Sequence, residues 1–599
     1  MRKTLKFLVV VAIFGVLFAL TACAREAAPA ATPTPAATPA APVTPAPGQV
    51  GTPEVATGDP RLAEHNLDEN LRFESPVNLS VAMWDRSQDR WPDFTTSMWA
   101  DWMRENVYEI HNINVNYVSI PRWDEQEFLT TLLGAGNAPD VSYTFSMPVV
   151  ETFAAMGAVL DLAPLLAQYN DWLPNLYGLL TPMNVYWNRN PHTGTMWGLA
   201  GRLEADGRVN TFIREDWLNQ LGIAPPQTAE QFEAALIAFR DNADALLGDN
   251  AHMIAPFMLG ASDPGWGIML ITESFIPDAI TEREWFRYGF DDRRFMHREA
   301  SFQALQMVNR WYNEGLIWND FLYGNDAIPT PDDTTRLGFT GSMIANWDMP
   351  FRAGDRWITD MRENVGPEAN FIVVTPWQND AGNEVMYMPP PTDRTLFMPS
   401  SNQNPVAGLL YLDWISRIDV REFLLFGLEG IHRETLPNGA IRSLGERPAD
   451  SPEGEHRFPD NMIFGGARNF DLAITQGSFI AMADANAALA TLALAYPGIS
   501  EEAVLAARSA GLDRQRVFRQ VVTRTIEAQE GMAVPLNEFR NQLYSNVITA
   551  PVADFAATFN RLYDQYLAMG AQAIINERDA AWVEEFGDVQ FQPDWPGWN

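Results

Sequence analysis

Between Trp197 and Arg240 the chain reads W-G-L-A-G-R-L-E-A-D-G-R-V-N-T-F-I-R-E-D-W-L-N-Q-L-G-I-A-P-P-Q-T-A-E-Q-F-E-A-A-L-I-A-F-R. Val209 to Ile213 is short, apolar and β-prone. It passes directly into Arg214–Leu221, where Trp217, Leu218 and Leu221 share one helical face and Gly222 supplies a stop. Pro225 and Pro226 fix the next turn. Thr228 then caps a second helix, with Gln231 at the capping-box spacing and Phe232, Ala235, Leu236 and Phe239 as its buried stripe. A strand that feeds capped amphipathic helices with no room for a hairpin return leaves a layered α/β arrangement as the way to bury these faces.

The rest of the chain repeats this alternation. Strands are expected at Leu79–Met83, Ile113–Val118, Val141–Phe145, Gly338–Trp347 and Phe371–Val374, and helices at Met98–Val107, Glu125–Gly134 and Ser301–Gly315. Asn404 with Pro405 opens a further helix to Arg417. Ser500, Asp513 and Pro551 precede or open three helical runs toward the C-terminus. Strands separated by helices predict a parallel sheet covered on both faces, with ligands beyond the carboxyl ends of the strands. That puts Trp84, Asp85, Tyr143, Thr144 and Phe145 on a candidate rim.

Composition narrows the function. The formal net charge of −35 over 599 residues argues against nucleic acid and against anionic membrane surfaces, both of which call for basic patches. Twenty Trp and 12% aromatic residues fit either a large aromatic core or rings lining a cleft. Arg2, Lys3 and Lys6 precede an apolar run, Phe7–Leu20. At roughly 14 residues this run is a signal-peptide core and too short for a membrane span. It ends Leu20-Thr21-Ala22-Cys23, which resembles a bacterial lipobox whose cysteine is lipidated. Cys23 is the sole cysteine, which excludes disulfides and thiolate metal clusters. The Ala-, Pro- and Thr-rich stretch that follows cannot build a core and reads as an extended tether, at about 3.1 Å per residue.

Motifs of chemistry are scarce. The chain has no H-E-x-x-H, no G-x-S-x-G, no Walker A sequence and no G-x-G-x-x-G placed between a strand and a helix. Asp241-Asn242-Ala243-Asp244 begins like a calcium loop, but Leu246 stands where the turn glycine belongs, so a solvated helix end is expected and no metal or cofactor is assigned.

The stretch N-T-F-I-R-E-D-W-L-N-Q-L-G-I-A-P-P-Q-T-A-E-Q-F resembles the signature of bacterial extracellular solute-binding proteins of ABC importers, family 1, nearest the large lipoprotein branch. Gly136–Val141, Met156–Leu162, Trp311–Leu316 and Phe426–Arg433 resemble further blocks of that family in the same order, covering about residues 77–590. The resemblance implies an α/β, two-lobed, periplasmic-binding-protein-like (type II) fold with a cleft between the lobes and a helical C-terminal part. It implies a signal peptide at 1–22 and a lipidated, disordered tether at 23–70. The N-lobe would comprise 71–201 and 367–405, and the C-lobe 202–366 and 406–599. Crossings between lobes would fall near Trp197–Arg202, 365–370 and 400–406. The implied function is capture of a carbohydrate, an oligosaccharide, by hinge closure on the outer face of the cytoplasmic membrane, by a monomer that delivers it to ABC permease subunits. Rings would stack on sugar faces and polar groups would read hydroxyls. Candidate ligand contacts are Trp84, Asp85, Tyr143, Trp197, Arg202, Trp266, Trp347, Arg394, Glu429 and His432. A cell-surface carbohydrate-active enzyme and a peptide-binding or sensor-coupled protein stay open as alternatives.

Overall fold

The computed structural model describes residues 50–587, with internal omissions of which the longest are 86–94, 180–188, 445–474, 477–484 and 518–525. Cys23 and the signal peptide lie outside the described residues. The first sheet is mixed. β1 (Val77–Asp85) pairs in parallel with β2 (Ile113–Pro121), and β1 is bridged at Val81 to Val141, just before β3 (Ser142–Thr144). β3 and β4 (Leu199–Leu203) then flank β9 (Thr392–Phe397), both antiparallel to it. The second sheet is antiparallel throughout: β5 (Val209–Arg214) lies between β6 (Ser342–Asn346) and β7 (Phe371–Val374). Uniform parallel pairing was the expectation. It holds for β1 and β2, but segments that return from the other lobe enter each sheet in the opposite direction.

β5 is buried along its whole length, so both of its faces are packed. The helix Glu215–Leu221 ends on Gly222 at φ 67°, and Thr228 accepts the Gln231 N–H at 3.3 Å to start Ala229–Asp241. The Gln231 side chain accepts from Gln227 N at 2.8 Å, so only half of the expected reciprocal cap forms. Phe232, Ala235, Leu236 and Phe239 are all buried, with Trp311 and Trp377, in the second core. The first core gathers around β1, the helix Met98–His111 and the helix Pro405–Ile415. From Val406 to Ile415 every residue of that last helix is buried, as a helix apolar on every side must be, and the one carboxyl, Asp413, is taken in with it.

Strand pairing follows the chain between the two sheets. The chain leaves the first sheet at Leu203 and enters the second at Val209, close to the expected first crossing. The return is not at 365–370, because β7 still pairs with β5. It falls between β8 (Met386–Met388) and β9. Pro405–Ile415 and Ile418–Phe426 pack with β1 in the first core, which also takes in Phe212, Met343 and Phe371 from the second sheet. The hairpin of β10 (Arg433–Thr435) and β11 (Ile441–Ser443) follows. β12 (Thr475–Gln476) extends the first sheet beside β4. Asp513 closes a helix, Glu501–Asp513, instead of opening one, and leads into β13 (Gln515–Val517), which pairs in parallel with β8.

The tether also ends earlier than residue 70. Gly51 N–H donates to Asn175 Oδ1 at 2.7 Å, Glu54 N–H to the Asp171 carbonyl at 2.8 Å, and Leu67 and Leu71 are buried. Arg61 pairs with Asp59 and Asp171 and lies over the Trp172 ring at 4.6 Å. The described residues 50–70 are therefore part of the folded body, and the expectation of an unstructured tether fails for them.

Candidate functional site

The carboxyl ends of β1, β2 and β3 end together, at Asp85, Pro121 and Thr144. Thr144 Oγ1 donates to Glu125 Oε1 at 2.9 Å, which ties the helix after β2 to the end of β3. The two segments that carry the chain between sheets start from β4 and end in β9, which are hydrogen-bonded neighbours. A register shift between Ala200 and Arg202 puts a bulge at that point, and bulges re-aim side chains beside functional sites. Strand ends, bulge and crossings define one edge, and this is where a cleft would be bordered.

The ten candidates divide by burial. The backbones of Trp84 and Asp85 end β1, and those of Arg202 and Arg394 lie on the adjoining strands β4 and β9 at the bulge. Their side chains lie outside the described residues. Trp197 is partly accessible and packs beside Phe153, Val159 and Phe397. Trp266 is also partly accessible, in a single helical turn, Pro264–Gly267. Its flanking glycines explain the G-W-G sequence. A Cβ on Gly265 would come within 2.7 Å of the Tyr544 ring, and one on Gly267 within 2.6 Å of Leu259 Cδ1. The backbone under Trp266 is clamped, so its ring is held on a fixed base.

Of the other candidates, Tyr143, Trp347 and His432 are buried, and the exposed Glu429 is held by local bonds. Tyr143 is 1% exposed in the first core, beside Tyr411. Trp347, 7% exposed, is buried among Phe351 and Tyr496, and the adjacent Asp348 binds Arg352 Nη2 at 2.6 Å and the Tyr496 hydroxyl at 3.1 Å. His432 is fully buried, edge-on to Trp99, and its Nδ1 accepts the Leu428 N–H at 2.9 Å. Gly427 takes φ 73°, and a Cβ there would lie 2.6 Å from the His432 ring. Glu429 accepts from Thr435 N and Oγ1 at 2.8 and 2.9 Å. The block F-G-L-E-G-I-H-R is thus a turn built around a histidine, and its motif-like spacing reports packing. Replacing Glu429 by alanine is expected to leave ligand affinity within twofold of wild type, checked by calorimetry.

Burial shifts two ionisable groups, Glu151 and Arg578, that stand in no sequence motif. Burial pushes the Glu151 carboxyl up to about 7, opposed by the Arg578 guanidinium. Burial likewise pushes Arg578 down to about 10. Burial also raises Asp413 to about 6 against its bonds from Asn175 and Leu176. Both carboxyls hold their proton more tightly folded than unfolded. Stability is therefore expected to fall as pH rises from about 4.5 to 7, by about 1–3 kcal/mol per group. Thermal unfolding should show a higher Tm at pH 5.5 than at pH 8, and Glu151→Gln should flatten part of that slope.

No family model matches the sequence, and no curated protein matches it. Solved structures do. The alginate-binding protein AlgQ2 without calcium ion aligns over 84% of this chain and 98% of its own, with a TM-score of 0.57 at 15% identity. The fold is that of the two-lobed solute-binding proteins. The solute-binding protein from Bifidobacterium longum infantis, described as an HMO-binding, ABC-transporter-associated protein, aligns over 84% and 99% with a TM-score of 0.54 at 15% identity. The S. pneumoniae ABC-transporter substrate-binding protein FusA, as an EF-hand mutant in complex with fructo-nystose, aligns over 86% and 100% with a TM-score of 0.55 at 12% identity.

Proposed function

We propose that this chain is an extracellular solute-binding protein that captures an oligosaccharide between its lobes and delivers it to the permease subunits of an ABC importer, without making or breaking a bond. The observation that carries this reading is the match in fold, over 84% to 86% of this chain, to proteins described as binding alginate, HMO and fructo-nystose. Two partly accessible tryptophans, Trp197 on the first lobe and Trp266 on the second, supply rings on which apolar sugar faces can stack. The lipobox-like Leu20–Cys23 supports anchorage to the outer face of the cytoplasmic membrane through lipid on Cys23. Among the described residues no helix is long and apolar enough to cross a membrane, so on this reading attachment rests on the lipid.

The test is a thermal-shift screen of the Cys23→Ser chain against oligosaccharides and peptides, with product analysis of each hit. Stabilisation by a sugar without turnover supports the proposal. Product formation at catalytic protein concentrations, or hits confined to peptides, overturns it. Trp266→Ala is expected to weaken the sugar hit about tenfold, or ~1.4 kcal/mol, with little change in Tm, because the ring is partly solvated while its backbone clamp stays in place. Calorimetry of the variant checks this.

A further inference from the structure

Asn346 closes β6, where the strand register sets it opposite Val209, the residue at which the chain enters the second sheet after leaving β4. Ser342 to Ala345 are buried, and Asn346 is the one residue of the strand that is partly accessible. Side chains alternate between the faces of a strand. Met343, Ala345 and Trp347 belong to the first core and Ile344 to the second, so Asn346 falls on the Ile344 face. Among the described residues its side-chain amide has no hydrogen-bond partner.

The turn that carries Trp266 is brought to the same strand. Met258 bridges Met343 in parallel, and its N–H donates to the Ser342 carbonyl at 2.8 Å. Both segments run in one direction there, so the chain after Met258 advances alongside β6 toward Asn346. The turn Pro264–Gly267 packs against β6, and Trp266 packs against the second core, to which Ile344 belongs. A partly accessible indole and a partly accessible amide thus stand on the second-core side of one strand. An amide offers a donor and an acceptor in one plane, which matches two adjacent hydroxyls, and an indole face takes the apolar face of a sugar ring. The amide is neutral, so it gives a uronate carboxylate no counter-charge in a chain of net charge −35.

We propose that Asn346 reads adjacent hydroxyls of the neutral sugar unit that stacks on Trp266, one hydroxyl donating to Oδ1 and one accepting from Nδ2. This rests on the carbohydrate reading above and narrows it to neutral oligosaccharides. The test is calorimetric titration of the Cys23→Ser full chain, alone and with Asn346→Ala, Asn346→Asp, Trp266→Ala or Asn346→Ala/Trp266→Ala. The ligands are malto-, fructo-, xylo- and alginate oligosaccharides of about two to six units, enough to span a single subsite and its neighbours.

Asn346→Ala is expected to weaken the neutral sugar that binds about tenfold, with Tm unchanged because the side chain makes no bond in the fold. Asn346→Asp keeps the acceptor and loses the donor, so its loss should be smaller, about threefold. The double variant should lose less than the product of the two single losses, because both residues hold one sugar unit. Losses that multiply put the residues on different units and overturn the pairing. Full affinity in Asn346→Asp overturns the donated bond. Unchanged affinity in Asn346→Ala, or a loss that comes with a lowered Tm, overturns the role of Asn346 and leaves the carbohydrate reading in place. Binding confined to the alginate series overturns the neutral class and the proposal with it. If no sugar in the panel binds the Cys23→Ser chain, the carbohydrate reading falls and the proposal falls with it.

Discussion

Replacing Arg514 by methionine is expected to destabilise the protein by about 3–5 kcal/mol, the usual cost of stranding one partner of a buried ion pair. Arg514 follows the Glu501–Asp513 helix, and its side chain is 4% exposed. Nη1 donates to Glu384 Oε2 at 3.0 Å, and Nη2 donates to the Val209 carbonyl at 2.6 Å and to Asn210 Oδ1. Glu384 Oε1 meanwhile accepts the Trp377 N–H at 2.8 Å, and the Asn210 amide donates to the Ala507 carbonyl at 2.6 Å. One guanidinium therefore joins the beginning of β5, the loop after β7 and the helix that precedes β13. Burial raises the Glu384 carboxyl while Arg514 holds it down. Without the arginine, Glu384 should take up a proton and lose its orientation. Chemical denaturation of Arg514→Met, Glu384→Gln and the double variant gives the cycle. The double variant should recover part of the loss, and additive single effects would show that the pair does not act as a unit. Because Val209 is the first residue after the crossing from β4, ligand affinity should fall with stability.

Gly198→Ala should have a comparable effect by a different route. A Cβ at this position would lie 2.4 Å from Thr395 Cγ2 and 2.7 Å from the Leu396 carbonyl oxygen. The threonine methyl can be removed, but the carbonyl belongs to β9, which pairs with β3 on one side and β4 on the other. To admit one methyl the strands must separate at the bulge, with Trp197 next to it. The expected cost is about 3 kcal/mol, at the upper end for overpacking, together with weakened ligand binding. Gly198→Ala/Thr395→Ser should restore only part of either. Full rescue by the serine would locate the clash in the methyl alone.

The glycines show why some of this was legible in the chain and some was not. Gly222 was readable as a helix stop because its left-handed backbone is a local property of the helix end. Gly198, Gly265 and Gly427 are needed because remote groups, Leu396, Tyr544 and His432, come close in space, and no local pattern encodes that. The same division runs through the candidate site. Tyr143, Trp347 and His432 have the residue types of a sugar site, but neighbours distant in sequence bury them.

Sequence alone determined the alternation of strands and capped helices and the apolar faces those helices bury, because each rests on local periodicity and local backbone preference. The resemblance carried by Asn210–Phe232 pointed to the two-lobed fold for the same reason, since that block is a contiguous strand and helix pair. Only the tertiary structure decided which strands and helices pack together. β7 joined the second sheet and Pro405–Ile415 joined the first core because partner strands and apolar surface were available there, and that availability depends on the whole fold. It also separated the rings that remain accessible, Trp197 and Trp266, from the many that pack the interior, since burial is a property of surroundings.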